Sequence, residues 1–302
     1  MNNVTNKTKA FSTEEKKGRL PDFIIIGAAK SGTTTLHKYL CRHPQVFMSK
    51  MKEPIFFSDD SVFTRGLEWY QSLFADAKMD QICGEASTQY TLWPHTPDVP
   101  RRIAQISKDI KFIYIMRNPV ERTYSHYEHL YMRAGLMVTF EEALERTDII
   151  VASLYKQQIE RYLRIFPRES FLFLLFEELI MGPDATLERV QRFLGVDVID
   201  LIAKEKIFDN KGKADFFVRR QTTQRLRAIP GGDRIVNQIP KSWRNFINLK
   251  VIESSLGRWL KKRYRDQFVI APTTRARLLK IFEEPNLQLA KFLERDLSHW
   301  SK

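Results

Sequence analysis

Residues 27 to 34 read Gly27-Ala28-Ala29-Lys30-Ser31-Gly32-Thr33-Thr34. A loop of this kind, closing a strand and opening a helix, turns successive backbone N–H groups inward. It also sets the positive end of a helix dipole against an anion. The spacing departs in one place from the phosphate-binding pattern G-x-x-x-x-G-K-[ST]. Thr33 stands where the lysine belongs, and a lysine occurs inside the loop at position 30. Gly27 and Gly32 still permit the tight turn. The lysine that meets the β and γ phosphates of a triphosphate is therefore displaced, and no acidic magnesium partner stands at the end of a buried strand. The plain alternative is a surface turn with incidental Lys and Thr. The order of strand, loop and helix argues against it.

A second cation follows a second apolar run. Arg117 comes directly after Lys111-Phe-Ile-Tyr-Ile-Met116, with Ser125 one to two helical turns further on. Ligands of open α/β sheets bind where strands end, and a guanidinium with a hydroxyl there suits a second phosphate. An arginine in this place is usually a surface or salt-bridged residue. The pairing with the loop at 27–34 is what makes it a site candidate.

Both features need strands to carry them. Asp22-Phe-Ile-Ile-Ile-Gly27, Lys111–Met116 and Phe171-Leu-Phe-Leu-Leu-Phe176 are continuous apolar runs, as strands buried on both faces require. Helical patterns follow at 33–42, from 119 to about 133, and around Leu187, Val190, Phe193 and Leu194, where Gly195 ends the helix. Residues 275–297 form another helical pattern, interrupted at Pro285. Strands alternating with helices predict an α/β fold: a P-loop-type central parallel sheet flanked by helices, as a single domain over 21–302. Residues 1–20 are expected to be a flexible N-terminal arm.

The 302 residues carry 49 Lys and Arg against 36 Asp and Glu, a formal net charge of +13. That surplus suits a polyanionic partner but does not choose among nucleic acid, an anionic surface and a phosphorylated nucleotide. A hydrophobic fraction of 43% fits a globular chain. No apolar run approaches the roughly 20 residues of a membrane span, and the N-terminus lacks the apolar stretch of a secretory signal, so cytoplasmic residence is the expectation. Cys41 and Cys83 are too few for a disulfide framework and lack zinc-ligand spacing. No metal site is expected.

In this arrangement the chain resembles the sulfotransferases that use 3′-phosphoadenosine 5′-phosphosulfate, and most of all the branch that includes the heparan sulfate sulfotransferases. Phe23–Leu36 is similar to the family's 5′-phosphosulfate loop, and Tyr114–His126 to its 3′-phosphate motif. Lys52-Glu53-Pro-Ile-Phe-Phe57 resembles the segment with that branch's catalytic glutamate. Gly66–Tyr70, Gly84–Tyr90, Phe193–Gly195 and Asn210–Lys213 follow in family order, so the likeness runs from about 21 to 217.

The resemblance implies roles. Lys30 contacts the oxygen bridging phosphate and sulfate, and Ser31, Gly32, Thr33, Thr34 and Thr35 bind the 5′ end. Arg117 and Ser125 grip the 3′-phosphate, while Lys211, Gly212 and Lys213 close over the nucleotide. Glu53 is the general base, and Lys30 stabilises the leaving group. Lys52 and Glu85 are further acceptor-side candidates that either orient the acceptor or pair with each other. The acceptor is a hydroxyl, or an amine, of a carbohydrate or small molecule, and no metal is required. Lys213 is followed by Ala-Asp-Phe-Phe, whereas heparan-type enzymes continue with a cysteine, so their acceptor specificity does not transfer. Other branches use a histidine base, for which His37, His43, His95, His126 and His129 qualify by type.

Trp243–Ile247 and Arg258–Arg265 mix cations with aromatic rings. The second reads as an amphipathic helix with Trp259, Leu260 and Tyr264 packed inward, or as a lid over the acceptor. Two other functions stay open: a P-loop kinase-like phosphotransferase needing ATP and magnesium, and a basic nucleic-acid-binding protein. The second explains the charge but not the paired phosphate motifs, and no nucleic-acid partner is expected.

Overall fold

Five segments form the central sheet: β1 (Phe23–Gly27), β2 (Val46–Met48), β3 (Ile82–Ala86), β4 (Lys111–Met116) and β5 (Phe171–Leu175). The computed structural model describes residues 18–134, 138–145, 147–202, 223, 227, 254–267 and 269–302. All neighbouring strands run parallel, in the order β2-β3-β1-β4-β5. The sheet is therefore the parallel one predicted. Ile25 pairs with Ala86 on one side and with Ile113 on the other, which puts the ends of β1, β3 and β4 at one edge. After β1 the chain leaves toward β2 and β3, and after β3 it crosses to β4 and β5. The β1 end is thus where strand order turns, the usual place for a ligand crevice.

Helices α1 (Thr33–Leu40), α2 (Asp60–Phe63) and α3 (Leu67–Ser72) precede β3, and α4 (Val99–Ile106) joins β3 to β4. Between β4 and β5 lie α5 (Pro119–His129), α6 (Phe140–Leu144), α7 (Thr147–Val151) and α8 (Tyr155–Leu163). After β5 come α9 (Phe176–Met181), α10 (Pro183–Leu194), α11 (Ser255–Gln267) and α12 (Pro272–Leu293).

The two-residue period of a strand sorts the core into layers. Phe23, Ile25, Ile113 and Ile115 meet Leu36 and Tyr39 of α1 and Leu187 and Val190 of α10. Ile24, Ile26, Phe112 and Tyr114 face Tyr155, Ile159 and Tyr162 of α8 and Leu289 of α12. Each such side chain buried contributes about 1.5–3 kcal/mol, and together they fix the strand ends that carry the site.

Several expectations change in detail. β2 and β3 have no long apolar run; β3 carries Gly84, where a Cβ would stand 2.1 Å from the Phe23 ring, and next to it the buried Glu85. The helix after Arg117 is α-helical to His129 and continues as a π-helix over Leu130–Ala134. Pro285 does not interrupt the last helix: α12 passes through it, although its missing N–H leaves one helical hydrogen bond unmade. In α11, Leu260 is buried while its neighbour Trp259 is half exposed. Adjacent helical residues are about 100° apart, and of these two it is Leu260 that turns inward. No described helix is long and apolar enough to cross a membrane.

Candidate active site

The loop after β1 is shaped by what surrounds it. A Cβ on Gly27 would meet Thr91 Oγ1 at 2.2 Å, and one on Gly32 would meet the Phe176 ring at 2.8 Å. Gly32 also has φ +89, where glycine alone is at ease. Lys30 adopts φ +72, and the Ser31 N–H closes the turn onto the Ala28 carbonyl at 3.2 Å. α1 then opens with no acidic residue in its first turn, which leaves the dipole's positive end for an anion. The Ser31 hydroxyl is buried here without a hydrogen-bond partner. An orphaned hydroxyl costs free energy unless something bonds it, and a phosphate oxygen would do so. Of the remaining loop positions, Thr33 is buried, Thr35 half-buried and Thr34 exposed.

Arg117 reaches the same loop from β4. Its Nη1 donates to the Lys30 carbonyl at 3.3 Å, and its guanidinium lies 4.9 Å from the centre of the Phe176 ring. The Tyr155 hydroxyl clamps its backbone, accepting from the N–H at 3.3 Å and donating to the carbonyl at 2.7 Å. Asn118 caps α5, its side chain accepting from the Val120 N–H at 3.0 Å, and Pro119 presets the first turn. Glu121 lies 4.0 Å from Arg117 but is bridged more closely by Arg275 at 2.6 Å. Two guanidinium groups thus share one carboxylate. Ser125 is buried on α5.

One turn beyond Ser125, His129 Nδ1 lies 3.5 Å from Lys30 Nζ. Residue type alone did not single it out; the four-residue step along the helix from Ser125 was the available signal. His126 beside it contacts Arg122 at 3.4 Å. Burial first, then the charges of Arg122, His129 and Lys30, press its pKa down to about 3, so it is neutral near pH 7. Arg122 is itself wholly buried, bonded to the Ser153 hydroxyl and the Ile149 carbonyl.

Glu53 enters from the other side of β1. Its backbone N–H donates to the Ala86 carbonyl at 3.0 Å, and its carboxylate pairs with Lys52 at 2.7 Å. Both side chains are about one-third exposed. His37 of α1 senses both: burial lowers its pKa, Lys52 lowers it further and Glu53 opposes them. Its Nε2 is buried without a partner. Lys52 therefore pairs with Glu53 rather than with Glu85, which is completely buried and bonded to three hydroxyls. Burial pushes Glu85 up to about 7 against the pull of those hydrogen bonds. Lys211, Gly212 and Lys213 lie outside the described residues. Among the described residues no group of His, Cys, Asp and Glu is placed to hold a metal ion.

Residues 20–269 match the family model described as "Sulfotransferase domain". The chain belongs to that sulfotransferase family. Its relatives include human heparan sulfate glucosamine 3-O-sulfotransferase 3A1, 35% identical over 216 residues, which are 68% of this chain and 51% of that protein. The human bifunctional heparan sulfate N-deacetylase/N-sulfotransferase 2 is 30% identical over 208 residues, 62% of this chain and 23% of its own length. This sulfotransferase-family chain therefore spans about half or less of the length of these relatives. The crystal structure of a sulfotransferase from Alicyclobacillus acidocaldarius superposes with a TM-score of 0.65 at 24% identity, covering 94% of this chain and 100% of that one. The sulfotransferase fold and the heparan sulfate branch implied by the motifs are both found.

Proposed function

We propose that this protein transfers a sulfuryl group from 3′-phosphoadenosine 5′-phosphosulfate to a hydroxyl, or an amine, of a carbohydrate or small-molecule acceptor. The observation that carries the reading is the hydrogen bond from Arg117 to the Lys30 carbonyl, which joins two elements 87 residues apart at one end of the sheet. Two phosphate positions that close together suit a nucleotide phosphorylated at both ends. A carbohydrate acceptor gains support from the relatives, whose names specify heparan sulfate glucosamine and heparan sulfate.

The donor, when bound, supplies an activated sulfuryl group. Gly32, Thr33, Thr34, Thr35 and the orphaned Ser31 hydroxyl hold its 5′ end against the α1 N-terminus. Arg117 and Ser125 hold the 3′-phosphate, with Lys211, Gly212 and Lys213 completing the nucleotide site. Lys30 presents its ammonium group to charge that develops on the leaving side, which stabilises the transition state more than the ground state. His129, 3.5 Å away, fixes where that ammonium sits. Glu53 removes the proton of the acceptor hydroxyl, and the ion pair with Lys52 keeps its carboxylate oriented until the acceptor arrives.

The test is nucleotide-dependent stabilisation in excess chelator. 3′-Phosphoadenosine 5′-phosphate is expected to raise Tm by binding the folded state preferentially, and ATP to do so far less. Arg117→Ala should lose most of the shift while keeping the unliganded Tm. An unchanged shift in that variant would move the 3′-phosphate site elsewhere.

A further inference from the structure

Glu85 sits on β3 with no solvent exposure, and its two oxygens accept three hydroxyl protons. Oε1 accepts from Tyr70 of α3 at 2.8 Å and from Tyr90 at 2.9 Å, and Oε2 accepts from Ser87 at 3.0 Å. A hydroxyl has a single proton, so an acceptor that claims it also decides where the lone pairs point. With its proton on Glu85, Ser87 Oγ accepts from the Ile55 N–H at 3.2 Å. Tyr90 likewise accepts from the Phe57 N–H at 3.4 Å. The Glu53 N–H donates to the carbonyl of Ala86, the residue after Glu85.

The stretch held in this way needs holding. Glu53 has φ +59 and Ile55 φ +51, in the left-handed region that residues with a side chain adopt at a cost. Such conformations persist when the surroundings over-determine them. Around residues 53–57 those surroundings include two hydroxyls whose direction is set by one carboxylate.

We propose that Glu85 is a positioning residue for Glu53: it aims the Ser87 and Tyr90 hydroxyls so that they grip the main chain at Ile55 and Phe57, and thereby fixes the carboxylate at position 53. The inference deepens the reading of Glu53 as the base and rests on it for its catalytic consequence. The choice of a carboxylate follows from proton counting. An amide at position 85 would put an NH2 where an oxygen accepted. The hydroxyl facing it would accept from that NH2 and its own proton would lose its acceptor, so position 85 would no longer aim the lone pair that holds the backbone N–H.

Amide hydrogen exchange on the unliganded full chain, compared above pH 7 where the Glu85 carboxylate is ionised, tests this without any assay of turnover. Glu85→Gln is expected to speed exchange at Ile55 or Phe57 by about tenfold or more, while β1 and β4 keep parental protection. Parental exchange at both amides would overturn the inference. So would a uniform acceleration through the strands, which would make Glu85 a general core residue. Should Glu85→Gln fail to fold, Ser87→Ala and Tyr90→Phe keep the carboxylate and remove one grip each. The first should speed exchange at Ile55 and the second at Phe57, and parental rates in both would equally overturn it. In turnover, Glu85→Gln should lower kcat with nucleotide affinity unchanged, and should add no further loss in a Glu53→Gln background. An additive loss would mean that Glu85 does not act through Glu53. If Glu53→Gln itself keeps parental turnover, the base assignment fails, while the exchange result still decides whether Glu85 grips the main chain.

Discussion

Arg117, at the end of β4, donates to a carbonyl, lies over a ring and shares its carboxylate with Arg275. Glu53, across β1 and beside the end of β3, is paired closely with Lys52 and is backed by a buried carboxylate that three hydroxyls satisfy. In the first region two guanidinium groups face one carboxylate, whereas in the second the carboxylate has a lysine of its own and a pinned main chain. A site built to bind an anion benefits from charge that only the ligand balances. A site built to move a proton benefits from geometry that does not shift when the ligand arrives. On the proposed function, the two sides of β1 separate binding from orientation.

The sharpest way to break that separation is to remove one charge from each side. Glu53→Gln is expected to keep nucleotide affinity and to lower turnover by roughly a hundredfold or more, the scale of a lost general base. An acidic phenol that arrives already deprotonated should lose much less than an aliphatic alcohol. Equal losses would make Glu53 a supporting residue, and His37, which senses its charge, the next candidate for the base. Lys30→Ala should also depress turnover far more than nucleotide binding, whereas Arg117→Ala should do the reverse. If Lys30→Ala and Arg117→Ala showed the same split, the division within the nucleotide side would not hold.

A smaller effect concerns pH. His126 has a folded pKa of about 3 against an ordinary 6.5, so between those values the unfolded chain binds a proton that the folded chain refuses. Its contribution is lost as pH falls from about 6.5 toward 3. Glu85, raised from 4.5 to about 7, acts in the opposite sense, since in that interval the folded state holds the extra proton. The two oppose each other, so the informative quantity is the difference between His126→Gln and the parent. That difference in Tm should move in the variant's favour by a few degrees between about pH 7 and pH 5. A constant difference would mean that His126 is not held neutral among the cations.

The strands that read clearly in the sequence, β1, β4 and β5, are those with unbroken apolar runs. β3 escaped because Gly84 and Glu85 occupy its centre. The glycine makes room for Phe23, and the buried carboxylate answers hydroxyls from α3 and from the turn after β3. Neither reason is visible until the neighbours are in place. The loop at 27–34 and Arg117 could be read from residue type and position, and Glu53 from its motif. The contacts of Arg117 with Phe176, of Lys30 with His129 and of Arg117 with Tyr155 could not, because strand order rather than sequence spacing brings those residues together. Pro285 misled for the converse reason: a local rule for ending helices was overridden by the packing of α12, where Phe282 and Leu289 on either side of it are buried.

The central claim, sulfuryl transfer without a metal, is tested most directly by mass. The protein is incubated in excess chelator with 3′-phosphoadenosine 5′-phosphosulfate and, in turn, a glucosamine-containing oligosaccharide, an aliphatic alcohol and a phenol. The expected result is an acceptor heavier by one sulfuryl group, with an equal amount of 3′-phosphoadenosine 5′-phosphate released. A donor left intact with every acceptor, together with phosphoryl transfer from ATP that appears on adding magnesium, would contradict the account.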